Sequence, residues 1–133
     1  MQAELPTAED AREWIGFRLD DVSGGSVGNV KALFCDAENG DPAWVVAKLG
    51  RFGKTIAIPF RDCAPGVGHV WVPYGREDLR AAPGVDALNP LTREQELAVA
   101  EHYGISERVG RGAEVASRPE GEVTAEAVAA DGG

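Results

Sequence analysis

The residues Gly53-Lys54-Thr55 end like a phosphate-binding loop and form the one apparent catalytic motif of the chain. That motif needs a second glycine five residues earlier, where this chain has Lys48, and a helix after the threonine whose N–H groups meet the phosphate. Residues 55–58 instead alternate polar or small with large apolar side chains, and Pro59 would break a helix just after its first turn. We therefore predict a strand at this point and no nucleotide site.

The chain also contains two histidines and two cysteines, the other residue types that commonly bind metals or act as nucleophiles: His69, His102, Cys35 and Cys63. A zinc site normally shows paired short spacings, and none is present. The cysteines have no neighbouring His or Lys pattern that would activate a thiol. The acidic pairs and triplets, such as Asp20-Asp21, lack the spacing of a calcium loop. We predict no catalytic residue, no metal and no cofactor, with reduced cysteines and solvated or edge histidines.

The composition indicates one small globular domain of an acidic protein. The 133 residues are 44% apolar and carry a formal net charge of −9, which argues against direct nucleic-acid binding. The chain has no run of about 18 apolar residues and no basic, then apolar, N-terminus. We therefore expect a cytoplasmic protein without membrane insertion.

Four basic residues nevertheless cluster around residues 48–61, namely Lys48, Arg51, Lys54 and Arg61. Such a group could meet an acidic partner, or it could consist of solvated charges at a turn. Both interpretations stay open at this point.

A hairpin over residues 43–60 is the predicted centre of the fold. Its apolar residues are β-branched or aromatic types typical of strands, and Gly50 and Gly53 bracket Arg51-Phe52 in the turn. Further strands are predicted at residues 14–19, 26–35 and 69–74, with Val70 and Val72 pointing inward. The apolar residues of the second of these change parity, which predicts a bulge at Gly28. Residues 77–80 are predicted to be a short strand or an extended segment.

The ends of the chain differ from this β-rich region. Residues 1–13 form an N-terminal arm in which a short helical turn is predicted over residues 8–13. Thr92 and Gln95 form a predicted capping box for a helix over about residues 93–103, and Gly104 supplies its stop. Residues 106–133 are rich in Gly, Ala and Glu without an aromatic residue, which predicts a disordered acidic tail.

Several short motifs occur in an order and spacing that resemble a known family. They are Trp14-Ile15-Gly16, Val27-Gly28-Asn29-Val30, Pro42-Ala43-Trp44, Gly50-Arg51-Phe52-Gly53, Ile58-Pro59-Phe60, Val72-Pro73-Tyr74, Ala82-Pro83, and Leu91-Thr92 through Glu96 to His102-Tyr103-Gly104. Over residues 14–104 the chain resembles a PRC-barrel domain, the family of the photosynthetic reaction-centre H subunit and of the C-terminal domain of the 30S ribosome maturation factor.

The resemblance implies a mainly β fold: a small, strongly bent antiparallel β-barrel of five or six strands with one C-terminal α-helix. The chain has neither the membrane helix of the reaction-centre subunit nor the N-terminal domain of the maturation factor, so we expect a stand-alone form. The expected domain is residues 14–105, between the arm and the tail.

The resemblance also implies a docking module rather than an enzyme. We expect a non-enzymatic, self-associating adaptor that binds a protein partner and forms a homodimer. The interface candidates are Trp71, Phe52, Arg51 and Lys54, because aromatic and arginine side chains are common interface anchors. The alternatives are an assembly factor in ribosome or RNA maturation that acts through a ribosomal protein, and an accessory subunit of a photosynthetic or electron-transfer complex. A small-molecule or redox enzyme has the least support.

Overall fold

The computed structural model describes residues 8–37, 40–105 and 115–120. The helices are α1 (Ala8–Ala11), α2 (Arg76–Ala81) and α3 (Arg93–His102), with 3-10 turns at Arg12–Trp14 and Phe60–Asp62. The strands are β1 (Arg18–Asp20), β2 (Ser26–Asp36), β3 (Pro42–Lys48), β4 (Thr55–Pro59), β5 (Ala64–Pro65), β6 (His69–Trp71), β7 (Leu91–Thr92) and β8 (Val115–Glu120).

All the described strands belong to one bent sheet of order β4-β3-β2-β1-β6-β5. β8 continues the sheet beside the C-terminal half of β2 and also pairs with β7. The ladder does not close between β4 and β5, so the barrel-like sheet is not closed by hydrogen bonds. All pairs are antiparallel except β1 with β6, which run parallel with Leu19 opposite Val70. The expected all-antiparallel barrel of five or six strands is therefore wrong on strand number and on this one pairing.

The predicted central hairpin is confirmed. β3 and β4 pair in unbroken register from Trp44 opposite Pro59 to Lys48 opposite Thr55. β2 covers the other edge of β3, so β3 is a central strand buried on both faces from Trp44 to Ala47. β4 begins at Thr55, the last residue of the Gly-Lys-Thr sequence, so a strand is present there, as predicted, and no helix begins at this point.

Irregularities in β2 explain its change of parity. The register with β1 passes from Leu19 opposite Gly28 to Asp20 opposite Ser26, so Val27 is the extra residue of a bulge beside the predicted position. A second irregularity at Lys31 separates Val30 from Ala32 in the pairing with β3. Beyond it, Leu33 and Cys35 point to the same core as Val30. A single strand can thus change its buried parity without leaving the sheet.

Two apolar clusters lie on opposite faces of the sheet. The inner core lies within the bend and includes Leu19, Val30, Val45, Ile56, Ile58, Val70, Val72 and Leu79. The outer core lies between the sheet and α3 and includes Phe34, Trp44, Val46, Ala57, Leu91, Val99 and Ala100. Because side chains alternate along a strand, β3 supplies Val45 and Ala47 to the first cluster and Trp44 and Val46 to the second.

α3 begins with the predicted capping box and is held to the sheet by polar contacts. Thr92 Oγ1 accepts from the Gln95 N–H at 3.1 Å, and the Gln95 side chain accepts from the Thr92 N–H at 2.9 Å. Glu96 is buried, and its carboxylate accepts a 2.8 Å hydrogen bond from the Trp44 indole N–H. α3 therefore packs through Glu96, Val99 and Ala100, whereas Leu97 is 39% exposed.

Two local predictions are wrong. Residues 14–19 are not one strand, because Trp14 ends a 3-10 turn and Gly16, at φ +100°, redirects the chain before β1. Residues 77–80 belong to α2, where two acidic residues in the first turn and Arg80 in the last match the helix dipole. The short helical turn expected over residues 8–13 is present as α1 and the first residues of the following 3-10 turn.

The expected disordered tail also needs a correction. Residues 115–120 form β8, which pairs with Leu33 to Asp36 of β2 and with both residues of β7. Ser117 and Pro119 are buried there. The rest of the predicted tail, residues 106–114 and 121–133, lies outside the described residues.

Candidate protein-binding site

A groove of about 640 Å³ lies between the N-terminal half of β2, the turn after β3 and α2. A smaller depression adjoins it on the other side of Arg80 and is lined by Phe52, Gly53 and Lys54. Together they are lined by the cationic side chains Lys31, Lys48, Arg51, Lys54, Arg76 and Arg80. We call these two depressions with their six cations the cationic groove.

The β3–β4 turn holds its side of the cationic groove through backbone contacts. The Leu49 N–H donates to the Lys54 carbonyl at 3.0 Å, which closes the turn. Gly50 has φ +69°, a conformation that favours glycine. A Cβ at Gly53 would lie 1.6 Å from the Leu49 carbonyl oxygen, so only glycine fits there. The glycines are thus required by the turn that presents Arg51 and Phe52, and not by a bound phosphate.

Gly28 determines the position of the groove wall that β2 forms, opposite the β3–β4 turn. A Cβ at this position would lie 2.1 Å from the Lys48 carbonyl oxygen. The backbones of β2 and β3 approach each other this closely only because residue 28 has no side chain. The close approach sets the spacing of the two strands that carry Lys31 and Lys48.

The cationic groove concentrates positive charge on an acidic protein. It holds six of the thirteen Lys and Arg residues of a chain that has 22 acidic residues. Within the part of the chain that the structure describes, no acidic side chain lines either depression. Among the described carboxylates, only that of Asp21 approaches one of the six, at 4.0 Å from Arg76 Nε. The Lys48 ammonium donates to the Gly53 carbonyl at 2.9 Å, which positions it beside the groove.

Phe52 places a large apolar surface beside these charges. Its side chain is 92% exposed at the tip of the turn. The Arg51 guanidinium lies 5.9 Å from the centre of its ring. An exposed aromatic ring with an adjacent arginine is the composition that protein interfaces favour.

The structure brings together three of the four predicted interface residues. Arg51, Phe52 and Lys54 share the β3–β4 turn, whereas Trp71 lies on β6, separated from β3 by β2 and β1. Of the four clustered cations, Arg61 lies in the second 3-10 turn and does not line the groove.

Sequence reasoning missed Lys31, Arg76 and Arg80. A helical assignment of residues 76–81 would have placed Arg76 and Arg80 on one face, because residues four apart are neighbours on a helix. The signal was the pair of acidic residues that follows Gly75. Lys31 was missed because it lies at the second irregularity of β2, which the sequence analysis did not locate.

Trp71 belongs to a second, smaller surface. The Trp71 ring is 39% exposed and lies 4.0 Å, centre to centre, from the His69 ring. His69 Nδ1 lies 3.0 Å from a carboxylate oxygen of Asp20, which is 1% exposed, and Arg18 Nε donates to the other oxygen at 2.9 Å. Hydrogen bonds from Arg18 and His69 lower the pKa of Asp20 below its ordinary value of 3.8. The His69 side chain lies on the strand face opposite that of Val70 and Val72, whose predicted inward orientation is confirmed.

Both cysteines are free thiols. Cys35 is buried in the inner core, and the Cys63 thiol donates to the Pro59 carbonyl at 3.5 Å. Burial raises the pKa of Cys63 well above its ordinary value, so its thiolate is disfavoured. Within residues 8–37, 40–105 and 115–120, no three His, Cys, Asp or Glu side chains are grouped so that they could hold a metal ion.

Residues 6–79 match the family model of the PRC-barrel domain, from just before α1 to within α2. The chain belongs to the PRC-barrel family. The matched residues include the two walls of the cationic groove, which are formed by β2 and by the β3–β4 turn. They also include Arg76. The PRC-barrel domain is a general protein-interaction module. No curated protein matches the chain. No helix in the described part of the chain is long and apolar enough to cross a membrane.

Proposed function

We propose that this PRC-barrel protein is a non-enzymatic adaptor that binds an acidic segment of a partner protein in the cationic groove. The observation that carries the proposal is the grouping of six Lys and Arg side chains, with no acidic residue among the described lining residues, on a chain of net charge −9. The exposed ring of Phe52 beside them supplies an apolar anchor. Membership of a protein-interaction family supports a protein as the partner.

The charge distribution favours a short acidic segment over a nucleic acid. A nucleic acid extends well beyond the groove, and the acidic remainder of the molecule would repel its phosphates. A peptide with a few carboxylates can meet all six cations while staying within about one screening length, ~8 Å at physiological salt. The volume of about 640 Å³ suits an extended segment more than a folded domain.

The test is the affinity for a fluorescent peptide of alternating Glu and Gly, measured by anisotropy. We expect saturable binding that weakens strongly when salt is raised to about 1 M, where the screening length is about 3 Å. Arg80→Gln removes a charge shared by both depressions and should weaken binding about 2- to 5-fold, the effect of a half-solvated ion pair. Phe52→Ala should also weaken it.

Arg61→Gln is the matched control, because it removes the same charge from an exposed arginine outside the groove. Its affinity should stay within 2-fold of the unmodified protein, on the order expected for a screened distant charge. Equal losses for Arg80→Gln and Arg61→Gln would mean that binding follows net charge and not the groove. Absence of saturable binding would overturn the proposal.

We further propose that the protein self-associates as a homodimer through the Trp71 surface. Trp71 is the large aromatic residue exposed beside the short edge strand β5, and Val67, in the turn between β5 and β6, is 99% exposed. An exposed aromatic ring next to an unpaired sheet edge suits a self-complementary contact. Trp71→Asp should weaken the dimer without unfolding the monomer, because Trp71 belongs to neither the inner core nor the outer core. A monomer by light scattering at high micromolar concentration would contradict this.

A further inference from the structure

We infer that the acidic residues after β8 occupy the cationic groove of their own chain and compete there with the partner segment. This inference rests on the proposed function, since it concerns the regulation of the same site. The segment in question is residues 121–133, which contain Glu122, Glu126 and Asp131 and neither Lys nor Arg.

The register of β8 directs the chain toward the groove. β8 runs antiparallel to β2 from Ser117 opposite Asp36 to Glu120 opposite Leu33. Lys31, a groove residue, lies two positions further along β2 in the same direction. Two residues of a strand span about 7 Å. Residues 121–133 therefore start beside the wall of the groove.

The ladder positions left to these residues on this edge of β2 end at Val30. The Val30 carbonyl accepts from the Gly16 N–H at 2.8 Å, and the Val30 N–H donates to the Phe17 carbonyl at 2.9 Å. Both backbone groups of Val30 are thus already paired with the segment that leads into β1. An extension of β8 past Ala32 and Lys31 would therefore meet this segment, and Lys31 is itself a cation of the groove.

Reach and effective concentration both favour an intramolecular contact. Thirteen residues span up to about 43 Å when extended, so all three carboxylates can reach the groove from Glu120. A segment joined to its binding site by a short linker has an effective concentration there on the order of millimolar. Contacts that would be weak between separate molecules are therefore enough to keep the groove partly occupied. A partner segment then binds only the free fraction, which raises its apparent Kd in proportion.

The test uses the full-length chain with the three carboxylates neutralised, Glu122→Gln/Glu126→Gln/Asp131→Asn. We expect this variant to bind the Glu-Gly peptide about 2- to 10-fold more tightly than the unmodified protein, as release of a partly occupied site predicts. The matched control, Glu9→Gln/Glu13→Gln/Glu94→Gln, neutralises three exposed carboxylates of α1, the first 3-10 turn and α3. It has the same net charge, and its affinity should rise less than that of the first variant.

A second measurement needs no peptide. Amide NMR spectra of the unmodified protein and of the variant neutralised at residues 122, 126 and 131 should differ at residues 28–31, 48–54 and 76–80. The differences should not depend on protein concentration. Identical amide shifts at these positions, or equal gains in affinity for the two triple variants, would overturn the inference. Shifts that grow with protein concentration would mean that the occupant comes from a second copy, which also overturns the intramolecular contact.

The two proposals fail in different ways. If neither the unmodified protein nor the neutralised variant binds the peptide while the amide shifts appear, the groove holds the chain's own acidic segment and the proposed adaptor function is wrong. If both bind it equally and the amide shifts are absent, the adaptor function stands and the intramolecular competition is wrong.

Discussion

The outer face of β2 and β3 has two halves, of which one is apolar and buried and the other is polar and open. Toward one end, Phe34, Trp44 and Val46 are buried under α3. Toward the other end the same face continues with Asn29 and Lys48, which pair across the two strands, and with Lys31 at the irregularity between them. α3 does not extend over this second half, which is open and forms a wall of the cationic groove.

The difference shows how one pair of strands serves both stability and binding. The apolar side chains on the covered half are removed from water, and this burial stabilises the fold by about 25 cal/mol per Å² of apolar surface. The open half gives up that gain and presents cations that remain solvated. The boundary between the halves coincides with the irregularity at Lys31, where β2 changes its pairing with β3.

The largest expected effect comes from removing the strand that extends the covered half. Truncation after Ile105 deletes β8, and with it the ladder to β2 and β7 and the buried side chains of Ser117 and Pro119. We expect a loss of about 3 kcal/mol or more in the free energy of unfolding in urea. Truncation after Glu120 keeps β8 and should stay within about 1 kcal/mol. Equal stability of the two truncated chains would show that β8 contributes nothing.

A pair of alanine substitutions tests the comparison directly. Val46→Ala on the covered half should cost about 2 to 3 kcal/mol, since Val46 is fully buried and its removal leaves a cavity. Lys31→Ala on the open half should change stability by less than about 0.5 kcal/mol. Urea unfolding measures both, and a large loss for Lys31→Ala would mean that the open half is packed.

The contact of α3 with the sheet has its own matched pair. Glu96→Ala leaves the buried Trp44 indole N–H without its acceptor and should cost about 1 to 3 kcal/mol. Glu94→Ala removes an exposed carboxylate two residues away on the same helix and should cost less than about 0.5 kcal/mol. Equal losses in thermal unfolding would indicate that helix propensity, and not the Trp44 contact, holds α3.

The smallest expected effect is on the pH dependence of stability. It compares Asp20, a carboxylate with charged partners, with Lys31, a cation of the groove. Because the pKa of Asp20 is lowered in the folded state, its ionised form stabilises the protein above the ordinary pKa of 3.8. That contribution is lost as the pH falls through the folded-state pKa. Asp20→Asn should therefore flatten the acid limb of the stability profile, whereas Lys31→Gln should leave the profile's shape unchanged. An unaltered acid limb in Asp20→Asn would contradict the assignment.

Local patterns predicted the parts of the fold that depend on neighbours in sequence. The central hairpin and the capping box of α3 were both identified, since alternation and cap residues are encoded within a few positions. The extent of β2 and the inward Val70 and Val72 were identified for the same reason.

What the sequence concealed depends on distant partners. β8 is a strand because Leu33 to Asp36 offer it a ladder, and its own residues have the composition of a tail. Half of the cationic groove was missed likewise, because Lys31 and Arg80 meet only after β2 and α2 are packed together. Arg51, Phe52 and Lys54 were found because a single turn carries all three.

The pairing of β2 with β8 sets the order in which the chain can fold. The edge of β2 from Leu33 to Asp36 can pair only after residues 117–120 have been made. β1 likewise pairs with β6, which comes about 50 residues later in the chain. During synthesis from the N-terminus, the first half of the sheet therefore leaves the ribosome before the strands that complete it. Such long sequence separations slow folding and leave unpaired edges exposed in the meantime. β8, the last of the described strands along the chain, thus completes the sheet late, and until it is made the edge of β2 from Leu33 to Asp36 stays open to pairing with other chains.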